Sequence, residues 1–182
     1  MLKLRELERD DLAEITSWRA SKGLVSTLGA PYRYIGPEVD QSWFDSYLSS
    51  RGSCVRCVAV EDESPREPMS LVTLAGIDWV NRSCEFHIMV GEAYQGRGVG
   101  RFSADELLRH AFYDLGMERV ELSVLAGNAR ARSLYESLGF VVEGTRRSAA
   151  FKEGARVDLI LMSLLRDEWR VRAEERSEGG AR

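Results

Sequence analysis

Ser83-Cys84-Glu85-Phe86-His87-Ile88-Met89-Val90, and beyond Gly91–Tyr94 the run Gln95-Gly96-Arg97-Gly98-Val99-Gly100-Arg101, form the stretch from which the rest of the chain can be read. The first run alternates as a β-strand does. Glu85, His87 and Met89 share one face, and Cys84, Phe86 and Ile88 the other. After the second run the period changes. Ala104, Leu107, Leu108, Ala111, Phe112 and Leu115 follow helical spacing, and Gly116 can close that helix in the left-handed conformation.

Between strand and helix, three alternating glycines remove the side chains that would hold a ligand away from the backbone. Their N–H groups can turn toward one point, where the helix dipole adds positive potential. That combination makes a phosphate or pyrophosphate site. Two familiar phosphate loops are excluded. A Walker loop ends Gly-Lys-Ser/Thr, whereas this one ends Gly100-Arg101-Phe102. The dinucleotide fingerprint needs Gly or Ala where Arg101 stands, and it opens a βαβ unit, whereas antiparallel-looking strands precede this loop.

Working outward, Leu2, Leu4 and Leu7 suggest a first strand, and a helix is expected from Asp10 to Arg19 with Asp10 or Asp11 as its cap. Gly23 to Pro37 reads as a loop and Pro37–Ser50 as a second helix. Cys54–Val60 and Met69–Ile77 are rich in branched apolar residues, as strands are, with a polar hairpin loop between them. Downstream, Arg119–Leu125 reads as a strand, Asn128–Leu138 as a helix capped by Asn128 and stopped by Gly139, and Phe140–Val142 and Val157–Leu165 as strands. Residues 1–166 make one domain of the α/β (α+β) class, a mixed and mostly antiparallel sheet flanked by helices. Residues 167–182 are charged and read as a flexible tail, with Ser177–Arg182 disordered.

Size and composition set bounds. The 182 residues suit a single core. Hydrophobic residues at 44% and charged residues at 30% are ordinary for a soluble domain, and the apolar runs are too short to span a bilayer. The first residues alternate rather than form the apolar core of a signal peptide, so a cytoplasmic protein is expected. Net charge is −4, which gives no overall field for nucleic acid. Arg97, Arg101, Arg130 and Arg132 nevertheless flank the glycine loop and the later helix, consistent with a local anion site. Cys54 and Cys57 have metal-like spacing, but no second pair follows and, on a strand, residues three apart face opposite sides. No metal site is expected.

Two motifs then carry a resemblance. Gln95, Gly98 and Gly100 match Gln-x-x-Gly-x-Gly, and Asn128-Ala129-Arg130-Ala131-Arg132-Ser133-Leu134-Tyr135, ending Gly139-Phe140, matches a second signature in the right order. Over Leu2 to Leu165 the chain resembles the GNAT superfamily of N-acetyltransferases. The stretches Ile77–Ile88 and Gly144–Leu161 resemble the branch that holds ribosomal-protein alanine and spermidine acetyltransferases. The resemblance implies that Gln95, Gly96, Arg97, Gly98, Val99, Gly100 and Arg101 bind the pyrophosphate of acetyl-coenzyme A. Main-chain groups of Ile88, Met89 and Val90 would bind its pantetheine arm, and Asn128, Arg130 and Ser133 would complete the coenzyme site.

By the same resemblance Tyr135 is the general acid for the departing thiolate and Glu85 the general base, with His87 as a relay. Read from the residues alone, Tyr135 equally suits a core stripe, Asn128 a cap, Glu85 a salt bridge or an exposed face, and His87 a packed or surface position. Cys84 lies on the face away from Glu85, so direct transfer in a ternary complex is expected over a covalent acetyl-enzyme.

The acceptor amine is left open among a polyamine, a protein N-terminus, an amino sugar and an aminoglycoside. Tyr32, Tyr34, Trp43, Glu85 and His87 are its candidate contacts, and Glu14, Glu38, Asp40 and Asp45 are acids that suit a cation or a solvated helix face. A non-catalytic acetyl-coenzyme A sensor is the alternative. A kinase-like nucleotide binder lacks the lysine and magnesium ligands. A homodimer through a sheet edge or helix is compatible with the sequence.

Overall fold

The computed structural model describes residues 1–179, with side chains through residue 174; Gly180–Arg182 of the expected disordered end lie outside it. The elements run β1 (Leu2–Glu6), α1 (Leu12–Ala20), α2 (Lys22–Ser26), α3 (Pro37–Ser49), β2 (Val55–Glu61), β3 (Ser70–Asp78), β4 (Ser83–Val90), α4 (Val99–Arg109), β5 (Arg119–Leu125), α5 (Ala129–Leu138), β6 (Val141–Lys152), β7 (Ala155–Leu165) and α6 (Arg166–Gly179). Seven strands form one sheet in the order β1-β2-β3-β4-β5-β7-β6. Every neighbouring pair is antiparallel except β4–β5, which is parallel and joins only Ser83, Cys84 and Glu85 to Arg119, Val120 and Glu121. Past Glu85 the two central strands part.

Each face of the sheet carries its own core. On one, Val72, Leu74, Cys84, Phe86, Val120 and Leu122 pack under Leu107 and Leu108 of α4 and Leu138 of α5. On the other, Val58, Val60, Leu71 and Met89 pack under Ile15 and Trp18 of α1 and Phe44 and Tyr47 of α3. The face assignment read from β4 holds, because Phe86 belongs to the first core and Met89 to the second. Cys54 and Cys57 likewise join opposite cores, so the two thiols do not converge on one ion.

Several expectations need correction. Asp11 does not cap the first helix. Its buried carboxylate turns back to accept both Arg5 guanidinium N–H groups at 2.8 and 2.7 Å and the Glu8 N–H at 2.8 Å. The stretch read as a loop from Gly23 begins inside α2, whose Leu24 N–H donates to the Ser21 hydroxyl at 3.1 Å. One helical turn is too short to show periodicity. Strand β6 runs to Lys152 instead of ending at Val142, because register shifts between Val142 and Gly144 and between Arg146 and Ala150 break its alternation. The charged end after Asp167, read as a flexible tail, begins as the helix α6, whose Trp169 stacks on Phe112 at 5.4 Å between centroids. A single aromatic anchor carries no periodic signature.

Among the described residues no helix is long and apolar enough to cross a membrane. Asp40 of α3 is fully buried, where it accepts the Thr16 hydroxyl at 2.6 Å and the Arg19 guanidinium. Asp40→Ala leaves Arg19 unpaired against the buried junction of α1 and α3, and a loss of about 3 kcal/mol is expected. The check is the urea midpoint at constant slope.

Candidate functional site

The glycine loop is shaped by both conformation and contact. Gly96 and Gly98 take φ of +77° and +80°, in the left-handed region, and a Cβ at either would meet nothing within 4 Å. Conformation demands glycine at these two positions, and the space above them stays open. The first bond of α4 runs from the Phe102 N–H to the Gly98 carbonyl at 3.0 Å. The N–H groups of Val99, Gly100 and Arg101 therefore have no helical acceptor and project from the positive end of the helix dipole. Gly100 is a case of close approach. A Cβ there would stand 3.3 Å from Val90 Cγ2 and near Leu134, so its absence lets α4 start directly against β4 and α5. The buried Ser103 and Ser70 hydroxyls, 2.7 Å apart, tie the same turn to β3.

Gln95 and Asn128 come together with the loop, but their amides are engaged by protein. Gln95 Nε2 donates to the Val90 carbonyl at 3.2 Å, and Arg130 Nη1 donates to Gln95 Oε1 at 2.8 Å. Asn128 Oδ1 accepts the Ala131 N–H at 3.0 Å, as a helix cap does, while Nδ2 donates to the Thr27 carbonyl at 2.9 Å. Both side chains hold neighbouring segments at a set spacing. Arg97 lies over the Tyr94 ring and 3.8 Å from Glu61, and Arg101 donates to Ser137 Oγ at 2.9 Å. Ser133 is exposed on α5.

Tyr135 is buried in the first core, edge-on to Phe86 at 6.3 Å and Phe140 at 5.9 Å. Its hydroxyl has no hydrogen-bond partner among the described residues. Burial pushes its pKa up to about 12, so the phenol stays protonated and able to donate. Cys84 is buried as well, with its thiol pushed up to about 12 by desolvation first and Glu121 second. A thiol held neutral in this way is a poor nucleophile.

Glu85 is where β4 and β5 separate. It is 45% exposed, not the costly buried acid its place near the sheet centre suggests, and it stands 3.5 Å from His87 Nε2. The His87 hydrogen bond, above all, and the Arg146 charge hold its carboxyl below the usual range despite desolvation. Glu85 is therefore firmly ionised at neutral pH. The expected acceptor residues are more scattered. Tyr32 and Tyr34 form an edge-on pair at 5.5 Å, with Tyr34 exposed, but Trp43 is covered by Arg56 at 4.2 Å and Arg19 at 5.3 Å. Of the four helix acids, Glu14 holds the Trp18 indole N–H, Asp40 holds Arg19, and Asp45 holds Arg9, while Glu38 is exposed with no partner among the described residues.

Sequence reasoning missed a group of anchors around the segment from α2 to α3. Lys152 Nζ donates to the Val25 carbonyl at 2.9 Å and to the Ala30 carbonyl, and the Ser21 hydroxyl donates to Glu92 at 2.7 Å. With Asn128 these bonds pin that segment over the open end of β4 and β5. No local pattern announces contacts that span more than a hundred residues. Gly91 was missed too: a Cβ there would lie 2.8 Å from the Trp18 ring, which stands against the end of β4.

The Acetyltransferase (GNAT) domain family matches residues 1–141. The spermidine N(1)-acetyltransferase of Vibrio cholerae is 30% identical over 174 residues, which cover 95% of this chain and 98% of that one. YdaF of Bacillus subtilis, whose name assigns it provisionally to ribosomal N-acetylation, is 31% identical over 99 residues, 54% of each chain. The crystal structure of the Vibrio cholerae spermidine N-acetyltransferase with CoA and spermine superposes with a TM-score of 0.86 at 27% identity, covering 92% of this chain and 97% of that one.

Gly91→Ala tests the buttress at the end of β4. Overpacking against Trp18 is expected to cost about 2 kcal/mol, read as a lowered urea midpoint, and Trp18→Leu in the same chain should restore part of it.

Proposed function

From the premise that the chain belongs to the GNAT acetyltransferase family and is an acetyl-CoA-dependent N-acetyltransferase, we propose that it acetylates a primary amine by direct transfer within the groove where β4 and β5 part. The observation that carries this reading is the three-residue parallel pairing of β4 with β5, beside a Tyr135 hydroxyl with no described partner. From Phe86 onward, the side of β4 away from β3 has no strand beside it. Main-chain groups of Ile88, Met89 and Val90 can there pair with the amides of a pantetheine arm, as an added strand would. The open φ-positive glycines and the free N–H groups of α4 suit the pyrophosphate, with Arg97 of the loop, Arg101 of α4 and Arg130 of α5 as its nearby cations. Acetyl-CoA supplies the activated acetyl group when bound.

An alkyl ammonium must lose a proton before its nitrogen can attack. Glu85, ionised beside His87, attracts the ammonium and receives the proton directly or through water. The nitrogen then forms a bond to the acetyl carbon as the carbon–sulfur bond breaks, and Tyr135 donates its proton to the departing thiolate. The second amine proton leaves to solvent, and Tyr135 is reprotonated, so one proton is released in total. The buried, neutral Cys84 supports transfer without an acetyl-enzyme. Polyamines are one acceptor class suggested by the spermidine acetyltransferase relatives. We place the enzyme in the cytoplasm, supported by its three unpaired cysteines. A second copy could pair along β6, an edge strand with exposed Val141, Val142 and Phe151.

Tyr135→Phe is expected to lower kcat by about 10²–10³-fold while affinity for acetyl-CoA is retained; unchanged turnover in a thiol-release assay removes the assignment. Glu85→Gln is expected to lower kcat by about 10²-fold. Because the Glu85 pKa is depressed, its own deprotonation is complete below neutral pH. An acidic limb that lies near neutrality and survives Glu85→Gln therefore does not belong to Glu85. Tyr135, titrating near 12, contributes no basic limb in the working range. If acetyl-CoA binds but no amine releases thiol, the sensor reading replaces transfer.

A further inference from the structure

The acceptor side of the groove carries a charge pattern that the chain as a whole does not. Along β5 the residues Val120, Leu122 and Val124 belong to the core under α4 and α5, so Glu121 and Ser123 face the other side, with Glu85. Through the registers Glu121–Ser163 and Leu125–Leu159, and then Arg146–Leu159, Arg146 lies on that same face, at the end where β4 and β5 have separated. The covering segment passes directly over this point. A Cβ on Gly29 would lie 4.0 Å from Leu159 Cδ2, and Lys152 binds Val25 and Ala30 beside it.

The two segments that border this opening, residues 20–36 and 144–157, contain Lys22, Arg33, Arg146, Arg147, Lys152 and Arg156 but only one acid, Glu153. This is an excess of positive charge in a chain of net charge −4. Of the acids nearby, Glu153 is exposed with no partner among the described residues, and three others have internal donors. Glu121 and Glu143 both hold Arg119, and Asp158 accepts the Ser148 N–H at 2.7 Å. Arg146 itself is exposed and has no hydrogen-bond or ion-pair partner among the described residues, and its charge helps hold the Glu85 carboxyl low. A polycation entering here would meet more cations than carboxylates. An amine with a negative group a few bonds away would find both of its charges answered.

Resting on the acetyl-transfer reading above, we propose that the acceptor is an amino acid: its amine faces Glu85 and its carboxylate is taken by the guanidinium of Arg146. A guanidinium matches a carboxylate in two parallel hydrogen bonds, so the pair selects by shape as well as charge. Lys152 is a positioning residue, because it holds the covering segment that closes the rim around the carboxylate.

The test compares amines that differ only in the carboxylate, L-phenylalanine against phenethylamine and L-methionine against 3-(methylthio)propylamine, with spermidine as the polycation. All are assayed by thiol release at saturating acetyl-CoA. Each amino acid is expected to exceed its decarboxylated partner in kcat/KM by about 10–100-fold, the worth of a charge-assisted bond, and to exceed spermidine. Arg146→Gln is expected to collapse that ratio toward one through KM, and Arg146→Lys to restore part of it. Spermidine turned over as well as the amino acids, or a ratio unmoved by Arg146→Gln in a variant that keeps its urea midpoint, overturns the proposal. Thiol release from no amine overturns acetyl transfer itself, and this inference with it.

Discussion

Everything functional in this fold follows from a parallel strand pair that holds for only three residues. Strand β4 is committed along its length to β3, and β5 to β7, both antiparallel. They meet at Ser83–Glu85 and then diverge. The wedge between them is filled from one side by the rings of Phe86, Tyr135 and Phe140. The divergence leaves β4 with an unpaired edge in the middle of a sheet. Backbone polar groups in that position need a partner, so the gap is at once a structural cost and a binding site.

The loop that follows β4 shows two different demands for glycine. At Gly96 and Gly98 the backbone sits in the left-handed region with open space around it, while at Gly100 and Gly91 the constraint is a neighbour. Gln95, Arg130 and Asn128 then form a scaffold that connects the end of β4, the loop, α5 and the segment after α2. The motif side chains thereby set the distance between the donor's binding surface and the acceptor's cover. In the proposed reading both substrates meet across a geometry set by these bonds, which is how positioning lowers a bimolecular barrier.

The acceptor face inverts an inference that local acidity invites. Glu14, Asp40 and Asp45 suit a cation when read along the chain, but each is held by a nearby donor in the folded protein. What is left at the opening is the half-exposed Glu85, with Glu153, among a larger number of arginines and lysines. Charge in a site is what remains after internal pairing, and pairing is a property of the fold.

The strand–loop–helix around Gln95–Arg101, the helix from Asn128 to Leu138 and the face assignment of β4 were all legible in the sequence, because each rests on local rules of period, capping and glycine conformation. Those rules also marked an anion site, and the resemblance to the GNAT family named the donor. They could not reveal α2, the length of β6 past its irregularities, the anchoring of α6 by Trp169, or the Trp18–Gly91 contact. A single turn, a bulged register and a lone aromatic contact leave no periodic trace. The exposure of Glu85 and the approach of Arg146 to it depend on strands β4, β5, β7 and β6 lying side by side, in an order that differs from their order in the chain. Local sequence thus determined the glycine loop and the elements around it, and only tertiary structure decided which charges lie beside Glu85.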